Sequence, residues 1–307
     1  MTSATLGPSG EPENTSFESR IKTPIGDTSY SKIKAITILA LFVLVVLPIW
    51  TILGAILYLP MKALNACNLP SPHKERVQLI YSMTKEVFSV LYVGIRYFSA
   101  YWKSYEITEQ KSNVPILLVH GYLHNKSGWE KYLEVFKERG LGSIYSMNFG
   151  HPFLSIQTYA QKVAAKVKEI QKATGRDEII LVGHSMGGVV SSLYATKIAE
   201  PGTVKDVFAV GSPVKGSPVA GALGIGPNGR EMRTDSALLT EIAQAVEAST
   251  DTIFHYAASE TDELVPRKYA ILGDDEGKQL NIPLGHLNLM TSKRVANWIC
   301  DQLGVSV

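Results

Sequence analysis

Ser185 sits in the pentapeptide Gly183-His184-Ser185-Met186-Gly187, which fits G-x-S-x-G and follows the apolar run DEIILV. A serine hydroxyl becomes a useful nucleophile when a base takes its proton and an acid orients that base. The motif alone is weak. Its context strengthens it, because a buried strand before it and a helix after it are what the strand-to-helix nucleophile turn requires. Gly183 and Gly187 are expected where the chain bends too sharply for a Cβ. In this arrangement the order along the chain is Ser, then Asp or Glu, then His.

Of the seven histidines, His73, His120, His124, His151 and His184 precede or adjoin the serine, and His255 falls inside an expected strand. His286, in PLGHLNL, lies in an expected loop before the last helix and beyond the acidic stretch SETDELVP. That stretch offers Glu260, Asp262 and Glu263. Asp262, just past the strand TIFHYAAS, is the first choice and Glu260 the second. An oxyanion needs backbone donors. The N–H of Met186 supplies one. The loop His120-Gly121-Tyr122 after the strand PILLVH supplies the other through Tyr122, with His120 bracing the loop.

The elements that must position these residues follow from the patterning. PILLVH, SIYSMNF, EIILV, VKDVFAV and TIFHYAAS read as strands, most of them short continuous apolar runs suited to a sheet buried on both faces. SYEITE alternates like an edge strand. Tyr159, Val163, Val167 and Ile170 mark one helix, Met186 to about Ala199 a second, and TSKRVANWICDQLG a third, capped by Thr291 or Ser292 and by Gly304. Strands alternating with helices give an α/β fold, a mostly parallel sheet with helices on both faces. Residues 217–250 form a small lid region. Leu238, Leu239, Ile242 and Val246 recur there at helical spacing, as either a mobile lid or ordinary core packing would require.

Upstream, residues 1–34 are polar and read as a disordered tail. Ala35–Leu59 is uncharged and apolar over 25 residues, enough for a transmembrane helix. Pro48 fits either a kinked single span or a re-entrant hairpin. The flanking lysines and arginines slightly favour a cytoplasmic N-terminus, and the side on which the catalytic domain lies stays open. LNAC, Leu64–Cys67, is a poor lipidation box. Residues 60–103 form an amphipathic helical connector, with Ile80, Met83, Val87 and Leu91 on one face and Lys85, Glu86 and Arg96 interrupting it. The catalytic domain spans 104–307. A formal net charge of +2 on 307 residues gives no basis for nucleic-acid binding. Cys67 and Cys300 read as free thiols, with no metal-ligand spacing. No cofactor, no metal and no obligate protein partner are expected.

PILLVHGYLHNKSGW, GHSMGG, GSPVKGSPVAG, REMRTDSALL, DELVP and GHLNL together resemble the bacterial triacylglycerol lipases and related esterases of the α/β-hydrolase superfamily. The resemblance covers about residues 112–305. It implies Ser185 as nucleophile, Asp262 as acid, His286 as base, and Tyr122 and Met186 as oxyanion donors. Secreted lipases of that type often carry a calcium-ligating Asp soon after the catalytic His. Asn288 stands there instead, so no calcium site is expected. The implied activity is hydrolysis of a lipid or acyl ester at a membrane. An acyl thioesterase or deacylase with the same triad, and a non-catalytic scaffold, are the competing readings.

Overall fold

The structure, a computed structural model, describes residues 86, 89, 92–94, 96–109, 113–219 and 224–305. The expected tail, the run Ala35–Leu59, Cys67 and the apolar stripe of the connector lie outside these residues. Among the described residues no helix is long and apolar enough to cross a membrane.

Among the described residues six strands form one sheet: β1 (Ile116–Val119), β2 (Ile144–Ser146), β3 (Ile179–His184), β4 (Val204–Val210), β5 (Ile253–Ala258) and β6 (Gln279–Asn281). Their order is β2-β1-β3-β4-β5-β6. Every pairing within it is parallel. The helices that flank the sheet or reach the site include α1 (Glu130–Glu138), α2 (Ile156–Thr174), α3 (Met186–Lys197), α4 (Gly226–Glu231), α5 (Ala237–Glu247), α6 (His286–Thr291) and α7 (Lys293–Gln302). The segment SYEITE, expected as an edge strand, instead meets the sheet at an isolated antiparallel bridge between Ile107 and Ile144.

The apolar runs are continuous because both faces of the sheet are covered. Leu117, Val119, Leu181, Val207 and Ala209 pack with α2, α3 and α5 on one side. Ile116, Leu118, Ile180, Val182, Phe208 and Val210 pack with α1 and α7 on the other. Alternate residues of one strand point to opposite faces. Each fully buried Leu or Ile contributes about 1.5–3 kcal/mol. The α2 stripe is as expected, with Tyr159, Val163, Val167 and Ile170 buried. In the 217–250 region α5 buries Leu239 and Ile242 against the core, while Leu238 and Val246 pack at its margin. Cys300 is a buried free thiol.

Two further features differ from the sequence expectation. β6 is an additional short strand, whose three residues carry too little pattern to be seen. His286 is not in a loop: it opens the separate six-residue helix α6, before Ser292 caps α7 through the Val295 N–H.

The register brings the strand ends level, pairing Val119 with Gly183, His184 with Val210, and Val210 with Ala257. The chain reverses its direction of winding at β1 and β3. Ligands of open α/β sheets bind at the carboxyl ends of strands beside such a reversal.

Candidate active site

The β3–α3 turn holds Ser185 at φ 54° and ψ −126°. That is a rare conformation for a residue with a Cβ, costing about 1–3 kcal/mol. The Ser185 N–H donates to the Val210 carbonyl at 2.8 Å, which ties the corner to β4. Close backbone approach explains the flanking glycines. A Cβ on Gly183 would lie 2.4 Å from the Gly187 carbonyl carbon, and one on Gly187 would lie 2.1 Å from the Val119 oxygen. Met186 begins α3, so its N–H belongs to the first turn, where no intrahelical acceptor exists.

The loop after β1 lies directly against this corner. An ideal Cβ on Gly121 would stand 2.9 Å from the Ser185 Cβ. His120 braces the loop in a fixed tautomer. Its Nδ1 donates to the Gly121 carbonyl at 2.9 Å, and its Nε2 accepts the Phe149 N–H at 3.1 Å. The hydroxyl of Tyr122 reaches across to the backbone of Ile225, donating to its carbonyl at 2.9 Å and accepting its N–H at 3.2 Å.

His286 and Asp262 meet beyond β5. The buried Asp262 carboxylate accepts from His286 Nδ1 at 2.8 Å through Oδ2. Its Oδ1 accepts the N–H groups of Leu264 at 2.9 Å and Val265 at 2.8 Å. With Nδ1 carrying the proton, neutral His286 has its lone pair on Nε2. The second-choice acid, Glu260, is an exposed side chain 3.8 Å from Arg267 Nε. His184 couples the two halves of the site. Its Nε2 donates to the His286 carbonyl at 3.0 Å, and the two rings lie 4.8 Å apart. An ideal Cβ on Gly211, at the end of β4, would stand 3.3 Å from Asp262 Oδ2 and 3.6 Å from His286 Nδ1. The sequence-derived residues therefore converge on one end of the sheet. His255 is held elsewhere, with Nε2 2.8 Å from Asp206 Oδ1 and its ring stacked on Phe208.

The electrostatics separate the histidines. Burial pulls His120 down to about 3 and His124 down to about 4, and it holds His184 well below the usual value. These three are neutral at physiological pH. Burial also disfavours charged His286, but the carboxylates of Asp262 and Glu86 outweigh it and raise its value. If His286 serves as a catalytic base it must be neutral to accept a proton, and activity should then fall on the acid side with a midpoint above about 6.5, the reference histidine value. A kcat/KM profile from pH 5 to 9 measures that midpoint. A midpoint below 6 would contradict the reading of His286.

Two residues that sequence reasoning passed over also belong here. In the sequence Glu86 is only a charge interrupting an apolar stripe, and Glu263 only a third acid candidate. The Glu86 carboxylate receives N–H groups from α6, and burial beside Glu86 and Asp262 holds the Glu263 carboxyl well above the usual carboxylate range. Both atoms of the Asn288 amide are engaged within the protein. Nδ2 donates to Glu86 Oε2 at 2.8 Å, and Oδ1 accepts from Ser89 Oγ at 2.8 Å. Among the described residues no group of three His, Cys, Asp or Glu could hold a metal ion.

Comparison with known proteins agrees with this architecture. The model of the alpha/beta hydrolase family matches residues 116–298. Among solved structures, the mature form of Bacillus licheniformis lipase BlEst2 is similar at 20% identity and a TM-score of 0.55, covering 67% of this chain and 99% of that one. Aspergillus fumigatus lipase B is similar at 15% identity and a TM-score of 0.54, covering 62% of this chain and 52% of that one. At these identities the likeness speaks for the fold.

Proposed function

The chain belongs to the alpha/beta hydrolase family, and from that premise we propose that it is a serine hydrolase of carboxylic esters of lipid or acyl type. The observation that supports this best is the buried 2.8 Å contact of His286 with Asp262, beside a serine held at positive φ. In the proposed mechanism Ser185 Oγ attacks the ester carbonyl carbon while its proton passes to His286 Nε2. Asp262 keeps the imidazole oriented and stabilises the imidazolium. The N–H groups of Met186 and Tyr122 face the oxyanion, the term that usually lowers the barrier most. His286 then returns the proton to the departing alcohol, leaving an acyl group on Ser185. Water, deprotonated by the same histidine, releases the acid.

An apolar acyl chain is favoured by exposed Leu123 and Ile225 near the Tyr122 contact, and by two similar structures being lipases. The run Ala35–Leu59 supports attachment to a membrane through a single span near the N-terminus. The proposed layout is a tail over 1–34, a span over 35–59, a connector over 60–103 and a catalytic domain from 104, with a small lid around 217–250. A thioesterase or deacylase would use the same acyl-enzyme, and a scaffold would use none of it.

The full-length protein, assayed against acyl-chain, head-group and thioester panels, separates these readings. It should hydrolyse oxygen esters and remain in the pelleted membrane after carbonate extraction. Turnover of thioesters alone would move the assignment to the thioesterase reading, and a folded protein without any hydrolysis would favour the scaffold. Release by carbonate would count against the span.

A further inference from the structure

Glu86 comes from a segment outside the sheet, yet its carboxylate is built into the helix that His286 opens. Oε1 accepts the Leu287 N–H at 2.7 Å, and Oε2 accepts the Asn288 N–H at 3.0 Å and the Asn288 side-chain amide at 2.8 Å. The first N–H groups of a helix have no partner within it, and a carboxylate there forms charge-assisted bonds. Ser89, three residues on, takes up Asn288 Oδ1 at 2.8 Å and lies 3.1 Å from Thr291 Oγ1. The same segment holds the body elsewhere. Arg96 and Lys103 pair with Glu130 at 2.8 and 2.5 Å, the Tyr92 hydroxyl also donates to Glu130, and Asn125 Nδ2 donates to the Tyr97 carbonyl at 2.8 Å.

We infer that Glu86 is a positioning residue for His286: its carboxylate fixes the first turn of α6, and with it the imidazole, so the working catalytic unit begins near residue 86 rather than at 104. This rests on the proposed role of His286 as base. The charged and titratable groups facing Glu86 are His286, Asp262 and Glu263. Burial raises the Glu86 carboxyl as well, but the N–H groups of Leu287 and Asn288 and the charge of His286 oppose that rise, so the geometry favours Glu86 over Glu263 as the anion of the pair. Glu263 keeps its proton, held by burial and by the carboxylates of Glu86 and Asp262. The Glu86 charge also favours protonated His286.

Packing makes the arrangement exacting. Gly285 has φ −69°, a value any residue tolerates, but a Cβ there would lie 2.3 Å from Glu86 Oε2. Gly285→Ala should therefore displace the carboxylate without changing any charge.

The test uses the full-length protein with a soluble p-nitrophenyl ester and a fluorophosphonate probe, folding being checked by thermal melts. Glu86→Gln removes the charge and turns an amide N–H₂ towards N–H donors. It should lower kcat by roughly 10- to 10²-fold, the scale of a small misplacement of a catalytic group. KM should stay within about twofold, and the acid limb should move to lower pH. Gly285→Ala should also lower kcat by about tenfold, a scale consistent with partial misplacement. A merely structural role would reduce the melting temperature and leave kcat per folded molecule and the acid limb unchanged. That result in Glu86→Gln would overturn the inference, and so would unchanged kcat in Gly285→Ala. If Glu86→Gln does not fold, Gly285→Ala decides. A wild type that neither labels nor turns over would instead overturn the hydrolase reading.

Discussion

Ser185→Ala should lower kcat by roughly 10⁶-fold, the scale on which loss of a triad nucleophile is felt. The corner itself should survive. Alanine keeps the Cβ that already occupies φ 54°, and the Ser185 N–H bond to Val210 does not involve the side chain. His286→Ala should cost about as much, and the double variant little more, because the residues act as a unit. Single-turnover kinetics with a chromogenic ester, beside melting curves, measure the loss. A folded alanine variant with near-normal turnover would remove Ser185 from the mechanism.

Asp262→Asn should cost on the order of 10⁴-fold, and the structure gives a specific reason. Oδ1 receives two backbone N–H groups, from Leu264 and Val265. An asparagine must keep its carbonyl oxygen there, which turns its N–H₂ towards His286 Nδ1. Nδ1 must then accept, the ring proton moves to Nε2, and Nε2 can no longer take the serine proton. The shape of the site is kept while the tautomer is wrong. The kcat of the variant, with nitrogen NMR of the imidazole, checks both halves. A folded variant within tenfold of wild type would show that Asp262 does not set the tautomer.

Much of this site was legible because its information is local. The Gly183–Gly187 pentapeptide, the strand before it and the helix after it are contiguous in sequence. Asp262 and His286 follow in the order that the fold requires. The alternating strands and helices reveal the sheet because burial on both faces leaves long apolar runs. What could not be read depends on distant contacts. Glu86 bonds to residues 201 and 202 positions away, so in sequence it is only a charge in an apolar stripe. The helix beginning at His286 looks like loop in the sequence because part of its capping comes from that distant carboxylate. Glu263 looks like any loop acid until its carboxyl is buried beside Glu86. β6, at Gln279–Asn281, has an exposed and half-buried pattern too short to stand out.

The central claim is that Ser185 is made nucleophilic by His286 and Asp262. A fluorophosphonate probe tests it most directly, because it forms a stable bond only with an activated hydroxyl. Peptide mapping of the labelled, folded protein should place one adduct on Ser185, abolished in Ser185→Ala and strongly slowed in His286→Ala. An adduct on Ser127, Ser191 or Ser192, or an active hydrolase that Ser185→Ala leaves fully labelled, would contradict it.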